Sequence, residues 1–485
     1  MSIEKSIPLY ERLVQDLSKA IQNGVLNPGE RLPSIRQTSQ SRQLSVSTVL
    51  RAYARLESLG LIEGRPQSGY FVRRAPTLPA TTTATATLAM SIPPSTASEV
   101  DVSALVLRTL KSIRSENAVR LGSPLLDPEL LPTRALMKHL GAVTRRPDVA
   151  LVGTGLPPGH PDLIRQIARR YLQAGLVIDP GEVVITDGAT EAINLCLQAV
   201  AEPGDTIAIE SPTYYAMLHA IERMGMRAIE IPTHPEEGMS LEWLRHTLQQ
   251  YEVAACMVMP NFQNPLGFKM SNERKRELLL IAEEAHMPII ENGVYDELYY
   301  GDAPPTSLKS FDTQGWVLHC SSFSKTLSAS FRVGWALTGR FHPAIEKLKF
   351  LNTMATPPLQ QMALASYLAN EGFDHHLRGL RKLLHQNADI MASMVKRFFP
   401  AGTRVSNPQG GYMLWVEIGS QMDSMALYDT ASERGMTIAP GRIFSNSDMY
   451  KHFLRLNFGF RWSQEKEAAI IDLGMMARSQ TQRQK

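Results

Sequence analysis

The chain has little cysteine: Cys196, Cys256 and Cys320 are its three thiols in 485 residues, far apart and without metal-type spacing. That scarcity argues against a disulfide scaffold or a zinc cluster and fits a reducing compartment. No apolar run approaches the roughly 18 residues of a membrane span. The opening MSIEKSIPLYERL has acids and a proline where a signal peptide needs an unbroken apolar stretch. The expected location is therefore the cytoplasm, with no membrane partner and no metal. Charge of one sign is also lacking, since 50 Lys and Arg stand against 47 Asp and Glu, a net of +3.

What is present is enough apolar residue for a sizeable core, 44% hydrophobic against 20% charged, far from the composition of disordered chains. The length suits two to four domains, or one large catalytic fold with an appendage. The near-neutral total hides an asymmetry. Met1 to Arg74 holds 11 Lys and Arg against 6 Asp and Glu, and Pro33 to Arg74 has seven arginines against Glu57 and Glu63 alone. A compact basic face on a small unit is the footprint of a nucleic-acid binder, or else a solvated basic surface. Ala75 to Ser98 then runs without a charge and is mostly Ala, Thr, Pro and Ser. Its prolines break helices and its apolar residues keep no period, so residues 75–104 read as a mobile linker between domains at 1–74 and 105–485.

The first domain reads as three helices and a hairpin. Leu9, Leu13, Leu17 and Ile21 recur every four residues, which marks an amphipathic helix. Ser34 and Ser45 are placed to cap two more, running to Arg42 and to about Leu59. Gly60 to Glu63 and Ser68 to Val72 read as short strands around Gly64. Three helices and a wing make a winged helix-turn-helix, whose third helix enters the major groove of double-stranded DNA. From Leu32 to Val72 the order of residues resembles the GntR-type winged helix. The resemblance implies that Ser34 and Arg36 contact backbone or bases, that Ser45, Ser47 and Thr48 open the recognition helix, and that Gly69 marks the wing. Val46 departs from it, standing where that family often has an arginine, which implies an altered operator preference.

Beyond the linker, buried-type apolar strands alternate with helical patterns: Val183–Thr186, Thr206–Glu210, Ala255–Pro260, Met287–Asn292 and Trp316–Ser322. Unbroken apolar runs are what parallel strands covered on both faces produce, so an α/β domain is expected. Ligands of such sheets bind beyond the strand carboxyl ends. Those ends carry Gly188-Ala189-Thr190 at a helix start, suited to a phosphate or serving only as a cap. They also carry Tyr214, Asn264 in a proline-bounded loop, Asn292 and Tyr295, and then Ser322, Lys325 and Arg332. A lysine just after a buried strand, amid hydroxyls and with no acid nearby, is placed to act as an amine nucleophile toward an aldehyde.

This ordered set resembles the fold-type I aminotransferases that use pyridoxal 5'-phosphate (PLP), from about Gly122 to about Trp462. The resemblance implies that Lys325 is the catalytic residue and forms the Schiff base. Gly188, Ala189, Thr190, Ser322 and Arg332 would hold the phosphate, Tyr214 would stack on the ring, and Asn264 and Tyr295 would bond its phenolic oxygen. Arg455 would take the α-carboxylate of a substrate or effector. Asn292 occupies the place of the aspartate that keeps the ring nitrogen protonated, and a neutral amide cannot do so by charge. Glu291 is adjacent, but strand alternation turns it to the other face. Thr154, before Gly155 and Gly159, replaces a tyrosine that reaches the neighbouring subunit's cofactor.

A GntR-type head, a linker and an aminotransferase-like domain in this order resemble the MocR family of bacterial transcriptional regulators over nearly the whole chain. That resemblance implies a homodimer with PLP, double-stranded DNA as partner, and an amino acid or amine effector sensed through aldimine exchange on Lys325. The competing reading is an active PLP-dependent aminotransferase with a DNA-binding domain attached. A third is a domain that uses the fold only to dimerise.

Overall fold

A computed structural model describes the chain apart from residues 1–8, 23–24, 28, 59–60, 66–67, 73–87, 113–117, 146–155, 371 and 484–485. It divides into two compact units, Met1–Ala84 and Thr85–Lys485.

The small unit contains α1 (Leu9–Gln22), α2 (Ile35–Arg42), α3 (Val46–Ser58) and an antiparallel hairpin of β1 (Ile62–Arg65) and β2 (Gly69–Val72). Its helices start where polar caps allow. Ser34 Oγ accepts from the Gln37 N–H while Gln37 Oε1 accepts from the Ser34 N–H, a reciprocal capping box. Ser45 Oγ likewise accepts from the Thr48 N–H. The apolar face of α1, with Leu13, Val14 and Leu17, packs against Val49, Ala52, Tyr53 and Leu56 of α3. Tyr53 ties α2 to α3 through its hydroxyl, 2.7 Å from Thr38 Oγ1 and 2.8 Å from the Pro33 carbonyl it donates to. The three helices and wing fall within a residue or two of the expected bounds.

The large unit is built on a nine-stranded sheet among the described residues. Its order is Ser98–Glu99, Arg227–His234, Thr206–Ser211, Val253–Val258, Ile289–Asn292, Val317–Ser322, Gly334–Leu337 and Val183–Thr186, with Gly238–Met239 paired outside this path. The strands Arg227–His234, Thr206–Ser211, Val253–Val258, Ile289–Asn292 and Val317–Ser322 pair in parallel, while Gly238–Met239 pairs antiparallel with Arg227–His234 and Gly334–Leu337 runs antiparallel to both of its neighbours. Val183–Thr186, Thr206–Ser211 and Val317–Ser322 are buried except at Thr206, because helices cover both faces of the sheet. A second, antiparallel sheet contains Met413–Glu417 and Phe453–Asn457, with Trp415 opposite Arg455. No helix among the described residues is long and apolar enough to cross a membrane.

The linker expected to extend to residue 104 is shorter. Leu88, Ala97, Val100 and Val102 are buried in the large unit's core, and Ser98–Glu99 pairs with Arg227–Ala228 at the sheet edge. Tyr251 adds a hydrogen bond to the Ser95 carbonyl. An uncharged, proline-rich segment cannot form a helix, but an open sheet edge accepts it in extended form. Residues 75–87 of the expected linker, and Thr154, lie outside the described residues.

Candidate functional site

The carboxyl ends of the parallel strands bring together most of the polar residues singled out in the sequence. Lys325 closes a short turn after Val317–Ser322, where Ser322 Oγ accepts from the Ser324 N–H. Its Nζ is buried, donates to the Pro124 carbonyl at 2.7 Å, and pairs with no carboxylate among the described residues. Burial, with Arg455 and Arg332 as nearby positive charges, lowers the Lys325 ammonium to about 7. The Tyr295 ring centre is 5.9 Å from this nitrogen.

A cradle of backbone and guanidinium lies at the start of the helix Ala189–Val200. No side chain caps that helix, and its N-cap Gly188 has φ +84°. A Cβ at Gly188 would stand 2.6 Å from Arg332 Nη2, which itself donates to the Asp187 carbonyl at 2.7 Å. Gly334 allows the same close approach from the other side, since a Cβ there would meet the Gly188 carbonyl carbon at 2.5 Å and the Ala189 nitrogen at 2.7 Å. Uncapped N–H groups and a guanidinium at one point suit a phosphate. Thr190 belongs to the first turn of this helix, and Ser322 ends the strand next to Gly334.

A second group surrounds Arg455. This guanidinium is fully buried, donates from Nη1 to Asn264 Oδ1 at 3.0 Å and from Nη2 to the Gly122 carbonyl at 2.8 Å, and leaves Nε without a partner. No acid pairs with it among the described residues, so the charge is buried against two neutral oxygens and the face of the Phe444 ring, 5.1 Å away. Such a group is costly unless a ligand anion completes it. Asn264 Nδ2 is 3.4 Å from the Tyr295 hydroxyl, whose pKa burial raises. Tyr214 caps the helix Tyr215–Arg223 beside this group; burial raises its pKa, and both Arg455 and Arg332 act to lower it.

Asn292 is buried, and its Nδ2 has no hydrogen-bond partner among the described residues. Its neighbour Glu291 faces the other way, as alternation requires. It accepts from Ser307 Oγ and the N–H groups of Leu308 and Lys309, and meets His319 Nδ1 at 2.8 Å. Burial raises the Glu291 pKa, but His319 and these donors outweigh that and leave it at about 2. Glu291 is therefore committed to its own network and cannot take the place of an aspartate at position 292.

Several members of the site carried no sequence signal. The Gly122 and Pro124 carbonyls hold Arg455 and Lys325, and Tyr412, which also donates to the Pro124 carbonyl, stands edge-on to Tyr295 at 5.4 Å. A cavity of about 660 Å³ includes Ser322 and Thr326 in its wall together with Trp335, Asp296 and Arg381, but not Lys325, Tyr214 or Arg455.

In the small unit, Ser34 and Ser45 are engaged as helix caps, and the hydroxyls of Ser47 and Thr48 lie 2.9 and 2.7 Å from Ser45 Oγ. Arg36 is exposed with no acidic partner among the described residues. Gly69 has φ +97° in the wing, where a Cβ would come 3.3 Å from Arg31 Nε.

Comparison with known proteins agrees with this division. Residues 9–72 match the bacterial regulatory proteins of the gntR family, and residues 145–469 match aminotransferase class I and II. The chain is 37% identical over 474 residues to the uncharacterised HTH-type transcriptional regulator YdcR of Escherichia coli K12, covering 96% of this chain and 98% of that one. It is 24% identical over 448 residues to the HTH-type transcriptional regulator NorG of Staphylococcus aureus USA300, covering 91% and 98%. Among solved structures, the multiple substrate aminotransferase of Thermococcus profundus superposes with a TM-score of 0.72 at 26% identity, over 78% of this chain and 95% of that one. The α-aminoadipate aminotransferase of Thermus thermophilus, complexed with N-(5'-phosphopyridoxyl)-L-leucine, gives 0.71 at 25% identity over 78% and 95%.

Proposed function

The chain belongs to the HTH-type transcriptional regulators that join a gntR head to an aminotransferase class I and II domain, and from that premise we propose that its large unit holds PLP and senses an amino acid or amine. The observation that carries this is the pairing of two buried cations that lack acids: Lys325, at about 7, and Arg455, fully buried against neutral oxygens. The residues fit the group. Gly188 and Gly334 keep open a cradle that a Cβ would fill, Arg332 and the uncapped helix start supply donors for a phosphate, and Asn292 Nδ2 is a buried donor in want of an acceptor.

When bound, PLP supplies an aldehyde that condenses reversibly with primary amines, so Lys325 and the amine of a ligand compete for it. Burial lowers the Lys325 ammonium to about 7, which makes the free amine that such competition requires accessible near neutral pH. Arg455, oriented by Asn264 and the Gly122 carbonyl, takes the carboxylate of an amino acid. Tyr214 gives the ring a stacking face, and Asn264 and Tyr295 offer hydrogen bonds to its phenolic oxygen. Asn292 offers a hydrogen bond without a negative charge, so it does not favour a protonated ring nitrogen. That choice suits sensing better than repeated amino transfer, which needs a strong electron sink.

In the small unit, Arg36 and the start of α3 would meet double-stranded DNA, with Ser34 and Ser45 positioning the two helices. Ser47, Thr48 and Gly69 complete the face turned to the duplex. The working form is a cytoplasmic homodimer, whose two heads gain avidity from paired half-sites. The test is the visible absorption of the protein with PLP while a panel of amino acids and amines is added. A band that shifts with one compound and persists supports the sensor. A band that bleaches and returns with a keto acid gives precedence to an aminotransferase, and the absence of any band with PLP rejects the cofactor.

A further inference from the structure

The recognition helix α3 is unusual in what it leaves bare. Its inward face, Val49, Ala52, Tyr53 and Leu56, is completely buried. Val46 and Leu50 are also apolar, yet they are 51% and 52% exposed. They stand four residues apart, so they are neighbours on one side of the helix, and Ala54 extends the same exposed row by one turn. Single exposed apolar residues are ordinary, as with Leu9 at the start of α1 and Val25 in the turn after it. A pair on the first two turns of α3 is different, because its surroundings say what covers it. Arg51, whose guanidinium lies 4.3 Å over the Tyr10 ring, follows on the same helix, and Arg36 is exposed on α2. The cover must therefore be apolar at the pair and negative around it.

The hydroxyls of the same turn bond to one another and to the helix start. Ser45 Oγ caps the helix through the Thr48 N–H, and the hydroxyls of Ser47 and Thr48 lie within 2.9 Å of it. The major groove offers one apolar feature that distinguishes bases, the C5-methyl of thymine. We propose that Val46 and Leu50 read thymine methyl groups in the major groove, so that this chain's operator is specified at those positions by apolar contact rather than by a hydrogen bond from arginine. This rests on the small unit being a DNA binder.

The test uses the full-length protein and two random duplex pools, one made with thymine and one with uracil, which lacks only that methyl. The thymine pool should yield a motif with fixed thymines in each half-site. Replacing those thymines by uracil should weaken binding by about fourfold per methyl, the worth of burying one such group. Val46→Ala and Leu50→Ala should each bring the thymine-to-uracil ratio toward one at its own position. Arg36→Ala should weaken both duplexes equally and leave the ratio intact. Raising salt should weaken both duplexes while the ratio holds, because a methyl contact releases no counterions. A motif that binds equally well with uracil overturns the methyl reading and assigns the apolar pair to another partner. No enrichment from either pool would overturn the DNA-binding reading with it.

Discussion

Lys325 combines a strand end, burial and the absence of an acid partner among the described residues, and its titration is the plainest consequence. Below pH 7 it is charged and above it neutral, so PLP attachment should accelerate through pH 7 and level off, where a lysine at the ordinary 10.5 would keep accelerating. Between these two values the unfolded chain binds a proton that the folded one does not, so unliganded stability should rise with pH across that window. Lys325→Met should abolish attachment and lessen the rise in stability, leaving the part that belongs to Lys275, which burial lowers to about 8; a thermal scan across pH with an unaltered slope in this variant would contradict the assignment. Arg455→Lys should weaken the response to amino acids by about tenfold, since the bidentate grip is lost, while amines lacking a carboxylate respond as before. Asn292→Asp would place a charge at the position proposed for the ring nitrogen and should speed bleaching of the visible band by an amino donor. An unchanged rate would remove the neutral amide from the account.

At the scale of elements, the helix Ala189–Val200 works by having a bare, glycine-led start. Gly188→Ala forces a side chain into φ +84° and into Arg332, which costs about 1 kcal/mol or more. The displaced guanidinium should raise the PLP dissociation constant by about tenfold, the loss of one charge-assisted bond; equilibrium titration measures it. In the head, Ser34→Ala breaks the capping box and should destabilise α2 by about 1 kcal/mol, seen as faster amide exchange in that helix.

The same scale explains what was legible in the sequence. Five buried strands of the large sheet were visible as apolar runs, and the polar residues just after them were by that fact at the sheet's functional edge. Ser34 and Ser45 were visible because capping is local. Arg227–His234 and Gly334–Leu337 escaped notice because proline, glycine and charge interrupt their apolar pattern. The carbonyls of Gly122 and Pro124 were invisible for a deeper reason: every residue has one, and only tertiary structure brings them to Lys325 and Arg455 across some 200 to 330 positions. The ordered segment from Leu88 shows the converse, a composition that excludes a helix without excluding an edge strand.

For the whole molecule, a ligand changes DNA affinity only as far as it binds two conformations unequally. The large unit supplies a place where such a difference can arise, and the gntR head supplies the output. The most direct measurement is the affinity of full-length protein for a duplex chosen by selection, taken with PLP alone and with PLP plus the compound that shifts the absorption band. Affinity should change by about 5-fold to 150-fold, the usual range of such coupling. Lys325→Ala should bind the same duplex without any response to the compound. An unchanged affinity in the unaltered protein, or a full response in the Lys325→Ala variant, would show that no amine sensed at Lys325 is reported to DNA.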